Sequence, residues 1–514
     1  MALTQTAERA ALNKLIDYLD DDPEAHIGKI MGLINKLVPA DVFPSQRKAF
    51  SCAIENKTNW YRLIMKVFSL NPEMRTKLLK TLIVDANILA WPQQEKSREK
   101  YGCNVPWAIL LDPTSACNLH CTGCWAAEYG HRQNLSFECI DSIIDQGCAL
   151  GTHIYIYTGG EPMVRKHDLI RICEKHPDCA FLCFTNATLI DEDFCRDMIR
   201  VGNFVPAISA EGNERTTDAR RGEGVYAKIE CAMDLLRERN LPFGISCCWT
   251  SANADTVATE ENVDWMISKG ALFCWYFHYM PVGRVAGAEL MPTPGQRERM
   301  YRFVREMRDK KPLFTLDFQN DGEYVGGCIA GGRRYLHINA AGDVEPCVFI
   351  HYSNANIHDV SLLDALRSPI FMAYHDGQPF NRNHLRPCPM LENPDMLPAM
   401  VKGAGAHSTD LVEKETPEQL RGKTAPAAAA WKPVADRLWA DEADPMHSAR
   451  QNWKQGQAET DIDRIARLSR ERREAVAEHA GAAPVSGGAT SVTRSAAWGA
   501  VTAWGASSSS PGRR

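Results

Sequence analysis

The sequence predicts an α/β fold built from parallel strands, and three observations support that fold class. Between residues 105 and 310, six short β-rich segments alternate with six longer segments of helical periodicity. The chain has 514 residues, 45 % of them hydrophobic, which is enough for about two to four domains with a sizeable core. Cysteine, glycine and acidic residues follow the strand segments directly, where parallel α/β folds place their active sites.

The strand and helix segments of this region occur in strict alternation. The strand segments, rich in apolar and aromatic residues, are Trp107–Asp112, His153–Tyr157, Ala180–Phe184, Phe204–Ser209, Phe243–Trp249 and Phe273–Tyr279. The helical segments are Ser136–Ala149, His167–Lys175, Asp191–Val201, Gly224–Arg239, Glu260–Lys269 and Thr293–Asp309. This pattern is typical of parallel βα units.

The region before the first strand, residues 1–104, is predicted to be helical. Leu15 and Leu19, among others, recur at helical spacing, and no cluster of catalytic residue types occurs here. The region is either a helical cap on the next domain or a docking platform for substrate or a membrane surface. Basic residues after an apolar stretch, Arg75 and Lys77 among them, leave peripheral membrane contact open.

Three further segments follow the alternating region. Residues 311–402 contain a predicted β-hairpin, Arg334–Ile338 with Val344–Val348, around a turn-forming sequence. Residues 403–480 are predicted to be a helical or linker extension, with helices near 410–445 and 459–479. The low-complexity residues 481–514 are predicted to be a disordered tail.

Charge and hydropathy limit the classes of function. Lys plus Arg number 58 and Asp plus Glu 64, a net charge of −6, which gives no reason to expect nucleic-acid binding. No apolar run reaches the roughly 18–20 residues of a membrane span, and the N-terminus lacks the apolar core of a signal peptide. We therefore expect a cytoplasmic protein, in a compartment where the 18 Cys are small buried hydrophobes or metal ligands rather than disulfides.

The first cysteine set follows the first strand segment. Cys117, Cys121 and Cys124 form C-x3-C-x2-C on one loop, so their thiolates can converge on one metal centre. Iron–sulfur clusters are usually held by four Cys, and three would leave one iron open to another ligand. The alternative is a structural zinc site completed by His120 or His131.

This spacing resembles the radical S-adenosylmethionine (radical SAM) superfamily, and the resemblance extends along the chain. Thr158-Gly159-Gly160-Glu161-Pro162, after the second strand, matches the family motif GGE(P). The resemblance implies that this segment holds the amino group of SAM. Paired glycines allow close backbone approach, and a carboxylate suits an ammonium ion.

Later strand ends carry further matches. Thr185-Asn186-Ala187 is close to T-N-G, Ser209-Ala210-Glu211-Gly212 is similar to the ribose-contacting S-x-D-G, Arg221-Gly222-Glu223-Gly224 is like R-G-x-G, and Pro281-Val282-Gly283-Arg284 resembles P-x-G-R. The resemblance implies cofactor-binding roles for Asn186, Ser209, Glu211 and Arg221. Arg221 would pair with the SAM carboxylate or with substrate, and a helix salt bridge is the alternative.

The resemblance implies a fold, two cofactors and a reaction class. The fold is a partial (β/α)6 TIM-like barrel. The cofactors are SAM and a [4Fe–4S] cluster on Cys117, Cys121 and Cys124. One electron, from a flavodoxin- or ferredoxin-like donor, cleaves SAM to a 5′-deoxyadenosyl radical that abstracts hydrogen from the substrate. No catalytic side chain is singled out. One departure is Gly123, where the family usually has an aromatic residue; Trp125 follows the third Cys instead.

The second cysteine set resembles a reduced, twitch-like form of the SPASM extension of radical SAM enzymes. Cys328 and Cys347 form C-x13-G-x4-C, and Cys388 follows, with Leu391 where a further Cys is expected. The resemblance implies an auxiliary iron–sulfur cluster on these three cysteines. His337, His351 and His384 are candidate fourth ligands. The alternative is a small hairpin domain whose cysteines have no ligand role. The other twelve Cys show no ligand spacing, and core packing is expected for most of them.

Three functional hypotheses follow. The first is a radical SAM enzyme that modifies a peptide or protein. The second is a radical SAM enzyme acting on a small molecule or lipid chain by C–C bond formation, epimerisation or methyl transfer. The third is a non-enzymatic iron–sulfur redox sensor or zinc-binding scaffold, which the GGEP segment disfavours because a simple metal site does not need SAM contacts.

Overall fold

The computed structural model of the chain describes residues 2–37, 44–283 and 286–444. Several sequence predictions lie outside these residues. They are the last position of the P-x-G-R match, Arg284, the helix near 459–479 and the disordered tail 481–514.

One sheet dominates the described part of the chain. Its nine strands lie in the order β7-β6-β5-β4-β3-β2-β1-β8-β9. The strands are β1 Ala108–Leu111, β2 Ile154–Tyr157, β3 Ala180–Thr185, β4 Phe204–Ser209, β5 Gly244–Trp249, β6 Phe273–His278, β7 Phe314–Asp317, β8 Tyr335–Ile338 and β9 Val344–Glu345, with a separate antiparallel pair β10 Tyr352–Ser353 and β11 His407–Ser408. Neighbouring strands from β7 to β8 are parallel, and β9 is antiparallel to β8. The predicted partial TIM-like barrel is confirmed.

Helices flank the sheet and occupy both chain ends of the described part. They are α1 Ala2–Asp21, α2 Pro23–Leu37, α3 Pro44–Glu55, α4 Asn59–Phe68, α5 Pro72–Leu79, α6 Ala90–Tyr101, α7 Phe137–Leu150, α8 Lys166–Lys175, α9 Glu192–Val201, α10 Glu214–Arg221, α11 Val225–Glu238, α12 Ala254–Val257, α13 Glu260–Lys269, α14 Pro294–Lys310, α15 Gly322–Val325, α16 Leu362–Leu366, α17 Pro369–Gly377, α18 Met396–Ala404 and α19 Pro417–Ala440. A π-helical segment, Lys80–Leu89, joins α5 to α6. Among the described residues, every helix is too short or too polar to act as a membrane span.

Local signals explain where the barrel helices begin and end. Asp191 accepts a hydrogen bond from the backbone N–H of Phe194 at the start of α9, and Gly202 ends that helix in the left-handed conformation. Thr293 and Gln296 form a reciprocal capping box at the start of α14. These local rules are why the predicted helix boundaries lie close to the observed ones.

The sheet is wider than the sequence predicts. The segment Phe314–Asp317 forms a seventh parallel strand beside β6, and β8, the first strand of the predicted hairpin, also pairs in parallel with β1. The four-residue strand β7 was not predicted. The strand β8 was predicted, but its partner β1 is distant in sequence, so no local pattern records that pairing. Because β8 lies beside β1, the second cysteine set is brought next to the first.

The N-terminal helices cover the end of the barrel that lies away from the strand carboxyl ends. They contact the loops that precede β2, β3 and β5. The Gln94 amide donates to the Gly151 carbonyl at 2.7 Å, the Thr81 hydroxyl to the Pro177 carbonyl at 3.1 Å, and the Asn71 N–H to the Asn240 carbonyl at 2.8 Å. This placement favours the helical cap over the docking platform.

Candidate active site

A cavity of about 360 Å³ lies at the carboxyl ends of the parallel strands. All six cysteines of the two predicted sets line it: Cys117, Cys121, Cys124, Cys328, Cys347 and Cys388. Aromatic side chains form much of the wall between the two sets, among them Phe184, Trp275, Phe277, Phe318 and Phe349. The cavity therefore brings together two cysteine sets that are far apart in the sequence, across a largely apolar space.

The first cysteine set lies on the loop that follows β1. Its three thiols are free and partly buried. Burial raises the pKa of the Cys117 thiol to about 11, and burial also raises the pKa of Cys121, although the Arg221 guanidinium lies 3.9 Å from its sulfur. Such thiols keep their protons unless a metal replaces them. These donors fit an iron–sulfur cluster, which binds Cys as thiolate.

The Gly-Gly-Glu turn after β2 packs directly against this cysteine loop. The Gly160 N–H donates to the Thr114 carbonyl at 3.0 Å, and the Glu161 N–H donates to the Ala116 carbonyl at 2.8 Å. A Cβ atom at Gly160 would lie 2.2 Å from the Ala116 oxygen. Glycine is thus required for the two loops to touch, as the sequence argument from close backbone approach expects. Gly159 and Gly160 both line the cavity.

The Glu161 carboxylate is buried at the cavity wall and held by three neutral donors. It accepts hydrogen bonds from the Thr185 hydroxyl at 2.7 Å, the Asn186 N–H at 2.7 Å and the Met163 N–H at 3.0 Å. Burial raises its pKa, and these donors oppose the shift. The Asn186 amide donates to Asn118 Oδ1 at 2.8 Å. The structure thus joins two of the predicted motifs, GGEP and TNA, through this one carboxylate.

Glu211 occupies a different environment from the other predicted cofactor-binding residues. It is completely buried and accepts from Arg221 Nε at 2.6 Å, Arg221 Nη2 at 2.5 Å and Arg220 Nη1 at 2.9 Å. Burial opposes its ionisation, but the two guanidinium groups hold the pKa of the carboxyl below its ordinary value. Ser209, Arg220 and Arg221 line the cavity, whereas the described cavity wall does not include Glu211. In this arrangement Glu211 orients two arginines toward the cavity; a ribose contact by Glu211 stays a prediction.

Tyr279, at the end of β6, lies against the position where the family usually has an aromatic residue. Gly123 has φ +66°, and a Cβ atom there would lie 2.5 Å from Tyr279 Cε2. The Tyr279 ring therefore fills the space beside the third cysteine that a side chain at position 123 would need. Within the described residues, its hydroxyl and the Gln319 Nε2 are buried without a hydrogen-bond partner, and both residues line the cavity. Such atoms are suited to a polar ligand group.

The sulfur atoms of the second cysteine set receive backbone donors. Cys388 Sγ accepts from the Met390 and Leu391 N–H groups, each at 3.4 Å, and Cys347 Sγ accepts from the Phe349 N–H at 3.5 Å. Burial raises the pKa of Cys328 to about 11 and that of Cys347 to about 12. Donors of this kind stabilise sulfur that has lost its proton.

The three candidate histidine ligands of the second set do not line the described cavity. His337 Nε2 lies 2.9 Å from Asp112 Oδ1, and its Nδ1 lies 2.6 Å from Glu345 Oε2, so both ring nitrogens are engaged. His351 Nδ1 lies 2.6 Å from Asp410 Oδ1. These two histidines belong to a buried ionic network behind the cysteine loops, whose members come from distant segments and therefore leave no local signal in the sequence.

A third cysteine group also escaped the sequence analysis. Cys148, His153 and Cys179 are, among the described residues, the one group of three or more His, Cys, Asp or Glu whose ligand atoms all lie within 4.8 Å of one another. Their sequence signal is weak: Cys148-x4-His153, then the adjacent pair Asp178-Cys179. Core packing was expected for most cysteines outside the two sets; Cys179 is buried as expected, but it also lies beside Cys148 and His153.

Comparison with known proteins is consistent with the site. A family model described as the radical SAM superfamily matches residues 111–257. The chain is 23 % identical over 286 residues to an AdoMet-dependent heme synthase of Methanosarcina barkeri, covering 50 % of this chain and 80 % of that one. It is 27 % identical over 267 residues to the mycofactocin maturase MftC of Mycolicibacterium smegmatis (48 % and 66 % covered), and 25 % identical over 267 residues to a PqqA peptide cyclase of Bradyrhizobium diazoefficiens (50 % and 69 %).

Solved structures align with the chain at lower sequence identity. SuiB of Streptococcus suis bound to S-adenosylmethionine aligns with a TM-score of 0.46 at 18 % identity, covering 53 % of this chain and 68 % of that one. The match of residues 111–257 to the radical SAM superfamily model and the enzyme names among the relatives support a radical SAM enzyme.

Proposed function

We propose that the protein cleaves SAM reductively at a [4Fe–4S] cluster held by Cys117, Cys121 and Cys124, and thereby abstracts a hydrogen atom from a peptide or protein substrate in the cavity. The observation that carries the proposal is the single cavity lined by these thiols, by the Gly-Gly-Glu turn and by the second cysteine set.

The residues present fit the two cofactors. Three thiols on one loop would hold three irons of a [4Fe–4S] cluster and would leave the fourth iron open to SAM. The Gly-Gly-Glu turn packs against the cysteine loop, and a structural zinc site completed by His120 or His131 would have no need of that turn. A cluster held by Cys117, Cys121 and Cys124 would supply the electron for reductive cleavage of SAM, and the cleaved SAM would supply the hydrogen-abstracting chemistry.

The chain's own residues bind and orient SAM in this proposal. Glu161, held by neutral donors alone, accepts the SAM ammonium group. Arg221, fixed by Glu211, faces the SAM carboxylate, and Asn186 and Ser209 line the wall toward the ribose. The Tyr279 ring offers an aromatic surface for the adenine in place of a residue at position 123. The aromatic walls exclude water from the reacting atoms.

An auxiliary cluster on Cys328, Cys347 and Cys388 forms part of the proposal. Support comes from their place on the same cavity and from the backbone N–H groups directed at Cys347 and Cys388. The fourth iron of such a cluster would be open to substrate or to another group, because none of the three candidate histidines lines the cavity and His337 is engaged by two carboxylates. The substrate would then lie between two clusters.

Relatives favour a peptide substrate. Two proteins similar to this chain are named a mycofactocin maturase and a PqqA peptide cyclase. The second candidate, a small molecule or lipid chain, is favoured by the aromatic wall and by the similarity to enzymes named AdoMet-dependent heme synthase. Both candidates need an electron donor of the flavodoxin or ferredoxin type. A redox sensor or zinc scaffold is disfavoured because the site carries a SAM cradle.

The test is SAM cleavage by anaerobically reconstituted protein with dithionite. We expect release of 5′-deoxyadenosine and about eight irons per chain, four for each cluster. The triple variant Cys117→Ala/Cys121→Ala/Cys124→Ala should keep about four irons and should release no 5′-deoxyadenosine. The triple variant Cys328→Ala/Cys347→Ala/Cys388→Ala should also keep about four irons, but still cleave SAM.

Two outcomes would contradict the proposal. No 5′-deoxyadenosine from cluster-loaded protein would overturn the SAM-cleaving reaction. Full iron in the second triple variant would overturn the auxiliary cluster alone. The double variant Cys173→Ser/Cys195→Ser, which alters two buried thiols outside the cavity wall, is the matched control and should behave as the parent. Incorporation of deuterium from labelled candidate peptides into 5′-deoxyadenosine distinguishes a peptide from a lipid or small-molecule substrate.

A further inference from the structure

We propose that Cys148, His153 and Cys179 form a zinc-binding site at the end of the barrel opposite the cavity. The three residues come from three different elements. Cys148 lies in the last turn of α7, His153 directly precedes β2, and Cys179 directly precedes β3. These positions are the amino ends of the strands, whereas the radical SAM site lies at the carboxyl ends. The site is therefore separate from both proposed clusters.

The distances within this group match a tetrahedral zinc site. Zinc binds Cys sulfur at about 2.3 Å and His nitrogen at about 2.0–2.1 Å, so tetrahedral geometry separates two sulfurs by about 3.8 Å and sulfur from nitrogen by about 3.6 Å. The two sulfurs of Cys148 and Cys179 are 3.4 Å apart. His153 Nδ1 lies 3.8 Å from the first and 3.9 Å from the second. All three observed separations agree with the ligand–ligand separations of tetrahedral zinc to within about 0.4 Å.

Oxygen donors and charge around the group also suit a divalent cation. Asp178 Oδ2 lies 3.6 Å from His153 Nδ1, and Asp178 Oδ1 lies 4.0 Å from Cys179 Sγ. Two thiolates and one carboxylate carry three negative charges, one more than Zn²⁺ neutralises. Arg9 supplies a further positive charge, since its Nη2 lies 3.9 Å from Asp178 Oδ2. A carboxylate or water would complete the fourth position.

Binding of one zinc ion by both sulfurs requires both thiols to lose their protons, and the two sulfurs lie close enough to share one ion at 3.4 Å. His153 Nδ1 also lies 3.3 Å from the Asp178 carbonyl oxygen, so binding a metal at Nδ1 requires the ring proton to reside on Nε2.

A zinc ion here would join the barrel to its N-terminal cap. The ligands connect α7, β2 and β3, while Arg9 of α1 pairs with Asp178 and, at 2.7 Å, with Asp85. Structural zinc stabilises the folded state because its ligands are not assembled in the unfolded chain. The proposed role is therefore to stabilise the end of the barrel that is formed by the amino ends of the strands.

The test is metal analysis of the full chain after anaerobic cluster reconstitution. The protein is incubated with Zn²⁺, freed of loosely bound metal with a chelator, and analysed for zinc and iron. We expect about one zinc per chain and X-ray absorption showing two sulfur ligands with nitrogen or oxygen. Cys148→Ser/Cys179→Ser and, separately, His153→Ala should retain at least about tenfold less zinc, with unchanged iron.

A control variant tests whether zinc loss is specific to the proposed ligands. Cys173→Ser/Cys195→Ser, which alters two buried thiols, should retain its zinc. His153→Ala serves if the double cysteine variant does not fold, since this imidazole is partly exposed. The proposal is overturned if the parent retains no zinc, if the ligand variants keep theirs, if the zinc has only sulfur ligands, or if the isolated reduced protein contains a Cys148–Cys179 disulfide instead.

Discussion

At the residue scale, two buried groups, one in the cavity wall and one behind it, have opposite surroundings. Glu161 accepts hydrogen bonds from neutral donors only, whereas His337 lies between the carboxylates of Asp112 and Glu345. A buried carboxylate without a directly paired cation is costly unless a ligand supplies one. Glu161 is therefore suited to bind a cation, and His337 to hold its neighbours in place.

We expect Glu161→Gln to weaken SAM binding by about tenfold or more, because it removes a charge-assisted contact worth about 1.5–3 kcal/mol. Calorimetry on cluster-loaded protein measures the dissociation constant, with iron content as the check on folding. The exposed Glu238 on the outer helix α11 supplies the control, Glu238→Gln, which should bind SAM as the parent does. Equal affinity of the Glu161 variant would contradict its assigned contact.

The stability of the network around His337 should depend on pH. Burial opposes its charge, but Asp112 and Glu345 raise the pKa of His337 to about 10. An unfolded His titrates near about 6.5, so the raised folded pKa contributes stability that is complete below that pH and is lost as pH rises toward about 10.

The corresponding variant is His337→Gln, which leaves two buried carboxylates without their cation and should cost about 3 kcal/mol of unfolding free energy at pH 7. The difference from the parent should shrink between pH 7 and pH 10. Urea unfolding at several pH values, in reducing buffer, measures it. His407→Gln alters an exposed imidazole and is the control. A difference that grows with pH would refute the charged state of His337.

At the element scale, the site depends on two loops that meet through their backbones. The turn after β2 donates two N–H groups to the carbonyls of the cysteine loop after β1. Parallel pairing of β1 with β2 places both loops at one edge of the sheet. The element boundaries that position them follow from local caps and periodicity, so this part of the site was foreseeable from sequence.

Gly160→Ala tests this loop contact. A Cβ atom at 2.2 Å from the Ala116 oxygen forces the turn away from the cysteine loop. We expect about a tenfold or greater loss of SAM affinity and reduced iron retention after gel filtration, at about 1–3 kcal/mol of overpacking cost. Gly403→Ala in α18, where a Cβ atom meets no atom within 4 Å, should leave both properties unchanged. Parent-like iron retention and affinity in Gly160→Ala would show that the contact is not needed.

At the scale of the whole molecule, the C-terminal helix α19 supports the second cysteine set through α14. The ring of Trp431 in α19 lies 4.3 Å from the guanidinium carbon of Arg297, and Arg297 Nη2 lies 2.7 Å from Glu392 Oε1. The other Glu392 oxygen accepts from the Cys388 N–H at 2.8 Å. Three distant segments thus fix one proposed cluster ligand.

We expect Trp431→Ala to lower the free energy of unfolding by about 3–5 kcal/mol, as loss of a buried aromatic side chain does. It should also reduce iron bound by the second set while the first set keeps its four. Thermal unfolding and iron analysis measure the two effects. Trp431→Phe keeps an aromatic ring over Arg297 but loses the Nε1 hydrogen bond to the Leu385 carbonyl, and should recover most of the iron. An unchanged iron content in Trp431→Ala would show that α19 does not support the cluster site.

The sequence by itself determined the six βα units, the two cysteine sets and the motifs at the strand ends, because helix caps, periodicity and ligand spacing are properties of neighbouring residues. Only the tertiary structure decided that both cysteine sets share one cavity, that Tyr279 fills the space beside Gly123, and that Cys148 and Cys179 meet at His153. These contacts depend on β8 pairing with β1 and on the order of strands around the barrel. Strand pairing between distant segments is set by packing of the whole sheet, which no local pattern records.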